Sequence, residues 1–222
     1  MTTTYYKSVR PDGTDFFTGT VQWLPRKRSA KMRPRIVRHP TSPAAIYGDH
    51  STSLAVSTDP TRIPGAKWPM RLCIVEPVGD ALVIETDAYK RQSIAWRVVR
   101  EIDPWIRFGP QGEPVAALIE RAGHLTSDEA KVLRAAWGTA WGTAWGTAWG
   151  TAWGTAWDAA RDAARDAARG AAQDAARGAA AALAVRDLIG SHGVTREHYD
   201  TLTGPWRRVI GPIHPDDAEV AP

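Results

Sequence analysis

From Ala136 to Ala180 every fourth residue is alanine, which makes twelve copies of one four-residue frame. The residue after each alanine is Trp at 137, 141, 145, 149, 153 and 157, then Arg at 161, 165, 169 and 177, with Gln173 interrupting. The third position is Gly through Gly154, then Asp at 158, 162, 166 and 174, with Gly170 and Gly178. AWGTAWGT and DAARDAAR are therefore one element written in two alphabets.

The Asp/Arg half reads as helix. Ala and Arg are strong helix formers, and each Asp meets an Arg three residues on, as at Asp158 and Arg161. A shared frame predicts helix for the Trp half as well. Thr126-Ser-Asp-Glu129 has the pattern of a capping box at the entry, and Gly190 and Gly193 mark the exit. The expectation is one helix over 127–189, about 95 Å long at 1.5 Å per residue. Five glycines, at 138, 142, 146, 150 and 154, weaken it by roughly 1 kcal/mol each. The alternative for the Trp half is a strand with Trp and Thr on one face, which would be an aggregation-prone ribbon.

A period of four drifts by about 40° per unit on an α-helix, so Trp137, Trp141, Trp145, Trp149, Trp153 and Trp157 do not share one face. Six exposed indoles would mark an interaction surface, and they are the candidate residues for homo-oligomerisation. The other reading is a length-tolerant spacer, because a four-residue unit changes copy number without breaking frame. The 23 residues from Ala135 to Trp157 carry no charge, yet Gly and Thr are weakly apolar and Trp favours the interface, so no membrane partner is expected.

Ahead of the repeat the chain reads as α+β. Strands are predicted over 4–9, 18–23, 52–57, 70–76, 81–85 and 94–101, with turns at Pro11-Asp-Gly13 and Gly79-Asp80. A short helix is expected over 113–122, with Pro114 in its first turn and Gly123 at its end. Closely spaced strands favour a mainly antiparallel sheet. The expected organisation is an α+β head over 1–124, a long helix over 125–190 and a tail over 191–222, with one short helix begun by Thr195. In that tail Trp206, Val209 and Ile210 are expected to fold back on Val185, Leu188 and Ile189.

Charge separates these regions. Residues 1–125 hold 18 Lys and Arg against 12 acids, and 126–222 hold 10 against 12. Much of the excess lies in PRKRSAKMRPRIVRH, where Arg26, Lys27, Arg28, Lys31, Arg33, Arg35 and Arg38 fall within thirteen residues without an acid. With two prolines it reads as a flexible basic loop, and it is the candidate nucleic-acid-binding segment, acting on phosphates without base specificity. A solvated surface loop is the plain alternative.

Enzymatic motifs are scarce. There is no phosphate-binding glycine loop, no His-Glu-x-x-His pair and no Gly-x-Ser-x-Gly elbow. The six histidines are scattered, and the single cysteine, Cys73, excludes an internal disulfide and a multi-cysteine metal site. No metal and no cofactor are expected, and with no secretory pattern at MTTTYYKSVR the expected location is cytoplasmic.

Taken in order, YYKSVRPDGTDFFTGTV, SLAVSTDP, WPMRLCIVEPVGDALV and IAWRVVREI resemble an uncharacterised domain family of actinobacteria and bacteriophages. In that family a similar domain precedes short Ala-rich repeats. The resemblance implies no activity. A looser likeness joins YYKSVR, SLAVST and a later strand glutamate to the order of elements in ADP-ribosyltransferases. That likeness would make Arg10, Ser57 and Thr58 grip NAD and Glu85 steady the ribosyl cation. The leading expectation is a non-catalytic structural or interaction protein.

Overall fold

The computed structural model describes residues 3–27, 33–40, 53–63, 65–79, 83–144, 155–168, 172–191 and 193–220. Side chains of 139–144, 155–157 and 218–220 also lie outside the description. The chain divides into a β unit, Met1–Pro104, and a helical unit, Trp105–Pro222. The class is α+β, with a seven-stranded antiparallel sheet and five α-helices among the described residues.

In the β unit the strands are β1 (Tyr5–Val9), β2 (Arg35–Arg38), β3 (Leu54–Ser57), β4 (Arg71–Pro77), β5 (Ile84–Glu85), β6 (Lys90–Ser93) and β7 (Ala95–Ile102). Their order across the sheet is β2-β7-β4-β1-β3-β6-β5. Only Ile94 separates β6 from β7, yet they stand four places apart. A flat sheet with strands about 4.8 Å apart would hold them about 19 Å from each other, which one residue does not bridge. The sheet therefore rolls into a ring that β6 and β7 close as one bent strand. Trp96 on β7 confirms the curl, because its Nε1 donates to the Leu54 carbonyl of β3 at 2.9 Å.

The inside of that ring is the core. Register places Val9, Cys73, Val75, Val98, Trp96 and Val37 on one face, and Val21, Trp23 and Leu24 cover them from the segment after β1. That segment is a loop where a strand over 18–23 is expected. Among the described residues its only β pairing is a bridge from Thr14 to Gln22. The Asp15 carboxylate is the cause: it accepts from Thr18 N and Thr18 Oγ1 at 2.6 Å each, and from Val21 N at 3.2 Å. Gly13 makes the preceding turn at φ +86°, and its carbonyl accepts from Trp23 and Leu24 N–H. A side chain there would strike the Leu24 carbonyl.

The helices are α1 (Gly112–Gly123), α2 (Ser127–Ala144), α3 (Thr155–Ala167), α4 (Gln173–Ala184) and α5 (Arg196–Ile210). Two start signals are present as expected. Thr126 Oγ1 accepts from Glu129 N at 3.2 Å while Glu129 Oε2 accepts from Thr126 N at 2.8 Å. Thr195 caps α5 in the same reciprocal way with His198. The helix expected over 113–122 is α1, and it packs on α3 and α4. It thus belongs with the other helices rather than with the strands.

The single rod over 127–189 does not form. Helix α3 ends at Ala167, α4 starts at Gln173, and the two pack on each other, as α4 also does on α1, α2 and α5. An isolated rod would leave its alanine stripe in water. Folding back buries Ala160, Ala163 and Ala164 along α3, Ala168 just after it, and nearly every residue from Ala175 to Ala184 along α4. A helix that is apolar all round belongs at the centre of a bundle. Gly170, the weakest helix former between the two, lies outside the described residues, as do 145–154 of the Trp half.

Candidate functional site

Two places in the β unit combine exposure, charge and shape. The first is the sheet edge built by β2 and β7. The segment read as a flexible basic loop is in part a strand: Arg35–Arg38 pairs antiparallel with β7, Val37 facing the core beside Trp96. Arg33, Arg35 and Arg38 are exposed, as is Ile36 at 43%. Arg26 and Lys27 are exposed at the start of the segment, while Arg28 and Lys31 lie outside the described residues. That start is anchored. The Arg71 guanidinium donates to the Pro25 carbonyl at 2.5 Å and grips Glu101 with two bonds of 2.9 and 2.7 Å.

The structure adds two arginines that the sequence reading did not join to this segment. Arg97 pairs with Ile36, and Arg100 with Ile74, so both lie on the sheet face that carries Arg38. Three residues apart on a regular strand they would point to opposite faces. A bulge at Val99, where the β4 register shifts between Ile74 and Val75, reverses the alternation and brings them together. Both are exposed.

The second place is a cavity of about 260 Å³ where β1 and β3 part. The two strands share one rung, Tyr6 with Ser57. The next rung would set Ser8 against Ala55, but the Ala55 carbonyl instead accepts from Lys7 Nζ at 3.0 Å. Lys7, Ser8, Ala55 and Val56 line the opening, with Phe16, Phe17 and Lys90. The Lys7 ammonium also lies 4.8 Å from the Trp23 ring centre. Its pKa is lowered, first by burial; the charge of Asp15 works in the other direction. Asp15 itself stays below the usual carboxylate range. Burial pushes it up, but the bonds from Thr18 and Val21 and the charge of Lys7 outweigh that.

The candidates drawn from ADP-ribosyltransferases do not converge. Ser57 is buried, and its hydroxyl lies 2.8 Å from the Asp59 carbonyl and 3.1 Å from that of Arg62. Thr58 Oγ1 donates to Tyr89 O at 3.3 Å. Glu85 is exposed on the edge strand and pairs with Arg91 at 2.7 Å. Arg10 donates to the Phe16 carbonyl and follows β1 four residues beyond the rung at Ser57, about 13 Å along the strand. Each of these groups is engaged with its own neighbours, and the described residues bring them to no common site. Cys73 is no nucleophile either, since burial pushes its thiol up to about 12. Among the described residues no group of histidines, cysteines and acids is placed to hold a metal, and no helix is long and apolar enough to cross a membrane.

In the helical unit Trp137 is buried. Its ring lies against Gly178 of α4, where any side chain would run into it. One repeat's tryptophan thus seats on another repeat's glycine, and Trp137 is withdrawn from the surface proposed for self-association. Trp141 and Trp157 lie in α2 and α3, their side chains outside the description, and Trp145, Trp149 and Trp153 lie outside the described residues. No protein-family model, curated protein or solved structure matches the chain.

Proposed function

We propose that this chain is a non-catalytic binding protein whose β unit holds the phosphate backbone of nucleic acid on the arginine edge of its sheet. The observation that carries this reading is the bulge at Val99, which puts Arg97 and Arg100 on the face of Arg38. Arg33 and Arg35 add two more exposed guanidiniums at the same sheet edge, Arg35 on the opposite face, where it pairs with Val98. A guanidinium presents a rigid fork of donors that suits phosphate oxygens. A strand-borne set loses less freedom on binding than the flexible loop expected from sequence. Exposed Ile36 between the arginines gives an apolar contact for a sugar or base face.

Such an interface reads charge and spacing rather than bases. The test is fluorescence anisotropy with two labelled 20-bp duplexes of unrelated sequence, using the full chain and an Arg38→Gln/Arg97→Gln/Arg100→Gln variant. Equal binding to both duplexes, weakened at least tenfold in the variant, supports the reading. No binding at 50 mM salt, or equal binding by the variant, overturns it.

A further inference from the structure

We propose that the opening between β1 and β3 is a binding site for a small single-ring carboxylic acid, independent of the arginine edge. Three features of the opening define the ligand. The first is charge. Two lysines, Lys7 and Lys90, line it, and no acid is among the described residues that do. The Asp15 carboxylate, whose charge acts on Lys7, already accepts three hydrogen bonds from Thr18 and Val21, so it cannot close over Lys7 without abandoning them. Lys7 gives one of its three N–H donors to Ala55 O, which leaves donors for an anion. Ser8 lines the same opening, and no hydrogen bond holds its hydroxyl among the described residues.

The second feature is an apolar, partly aromatic wall. Phe16, Phe17, Val56 and Ile63 supply it, and Phe17 is 72% exposed. A large ring held at the mouth of a cavity and left in water is the geometry of a side chain that gains burial when a flat apolar body enters. The third is size. A volume of about 260 Å³ is that of about nine waters in the liquid. That is room for one substituted ring. Gly65 keeps its side open, because a side chain added there would meet nothing.

The construction is costly to the fold, which argues for use. Ladder bonds between β1 and β3 stop after one rung, and a lysine occupies the apolar face shared with Val9 and Cys73. Burial lowers its pKa, which marks the charged form as disfavoured where it stands. Sites that depart from local folding rules at the expense of stability are where function is expected.

Isothermal titration of the full chain tests the site with three probes: phenylacetate, benzyl alcohol and inorganic phosphate. Phenylacetate should saturate one site and bind at least tenfold tighter than either control. Lys7→Met, which keeps the stem and removes the charge, should weaken it at least tenfold. Phe17→Ala, a change at an exposed position that leaves the core intact, should weaken it three- to tenfold. Equal binding of benzyl alcohol would reduce the opening to an apolar crevice, and equal binding of phosphate to an anion site without an aromatic pocket. Either result overturns the proposal, as does unchanged phenylacetate affinity in folded Lys7→Met or no binding at all.

Discussion

The two units solve the problem of a core in opposite ways. The β unit fills its rolled sheet with large side chains, among them Trp23, Trp96 and Leu24, each almost fully removed from water. The helical unit fills the space around α4 with alanines, so that neighbouring helices approach with little between them. Large side chains must be brought into register over long sequence distances, as Trp96 is with Leu54. Small ones need only a repeating frame and a point at which to fold back. The β unit consequently has odd gaps and charged groups left over, and these form both candidate sites. The helical unit is uniform, and its described part offers fewer places for chemistry.

That contrast breaks most visibly where a core is emptied on one side and overfilled on the other. Trp96→Ala should cost about 3–5 kcal/mol by denaturant melting, since it removes a buried ring and orphans the Leu54 carbonyl. In α4 the damaging change runs the other way. Ala176→Leu should cost about 1–3 kcal/mol through overpacking, whereas Val132→Leu at an exposed position should be nearly silent. If Ala176→Leu were tolerated, the alanine core would be loose rather than close-packed.

The seat of Trp137 on Gly178 sharpens the point within the repeat. Gly178→Ala should destabilise the chain although alanine is the better helix former. In a Trp137→Ala background the same change should be harmless or stabilising, a coupling of about 0.5–3 kcal/mol in a double-mutant cycle. Additive effects would show that the two residues do not touch.

Lys7→Met should alter stability by less than about 1 kcal/mol, or raise it, because a depressed lysine pKa means that the charged form is disfavoured in the folded state. Its linkage is that of a group with a lowered folded pKa. The destabilisation is present at neutral pH and disappears as pH rises past the ordinary lysine value of 10.5. A large loss of stability would instead make Lys7 a structural strut. The smallest effect concerns Glu129, whose carboxyl is held down to about 2 by Thr126 N–H, then by Arg121 and the Thr126 hydroxyl. Its contribution is complete above 4.5 and lost as pH falls through about 2. Wild type and Glu129→Gln should therefore differ in helix content at pH 6 and converge by pH 2.

Features written in adjacent residues were legible in the sequence. The capping boxes at Thr126 and Thr195, the helix between Gly112 and Gly123 and the strands β1, β4 and β7 all rest on local pattern. Strands β2 and β6 were missed because RIVR and KRQS are short and charged, and partner strands rather than propensity make them extended. The expected strand over 18–23 lost to the hydrogen bonds that Asp15 draws from it. Glycines recur along the whole repeat, so Gly170 by itself does not single out the reversal between α3 and α4. The run of alanines around Leu183, apolar on every side, was the available clue to a buried central helix. Of the arginine edge the sequence offered Arg33, Arg35 and Arg38, while Arg97 and Arg100 joined them through a bulge that no pattern announces. Lys7 was readable in part, since alternation puts it on the face of Tyr5 and Val9.

The dependence of duplex affinity on salt tests the arginine edge most directly. Log affinity against log salt should fall with a slope of about −4.5 if Arg33, Arg35, Arg38, Arg97 and Arg100 each displace one counterion. It should be about −2 for Arg38→Gln/Arg97→Gln/Arg100→Gln. A slope near zero, or one that the triple variant leaves unchanged, would contradict a phosphate-binding role for this face.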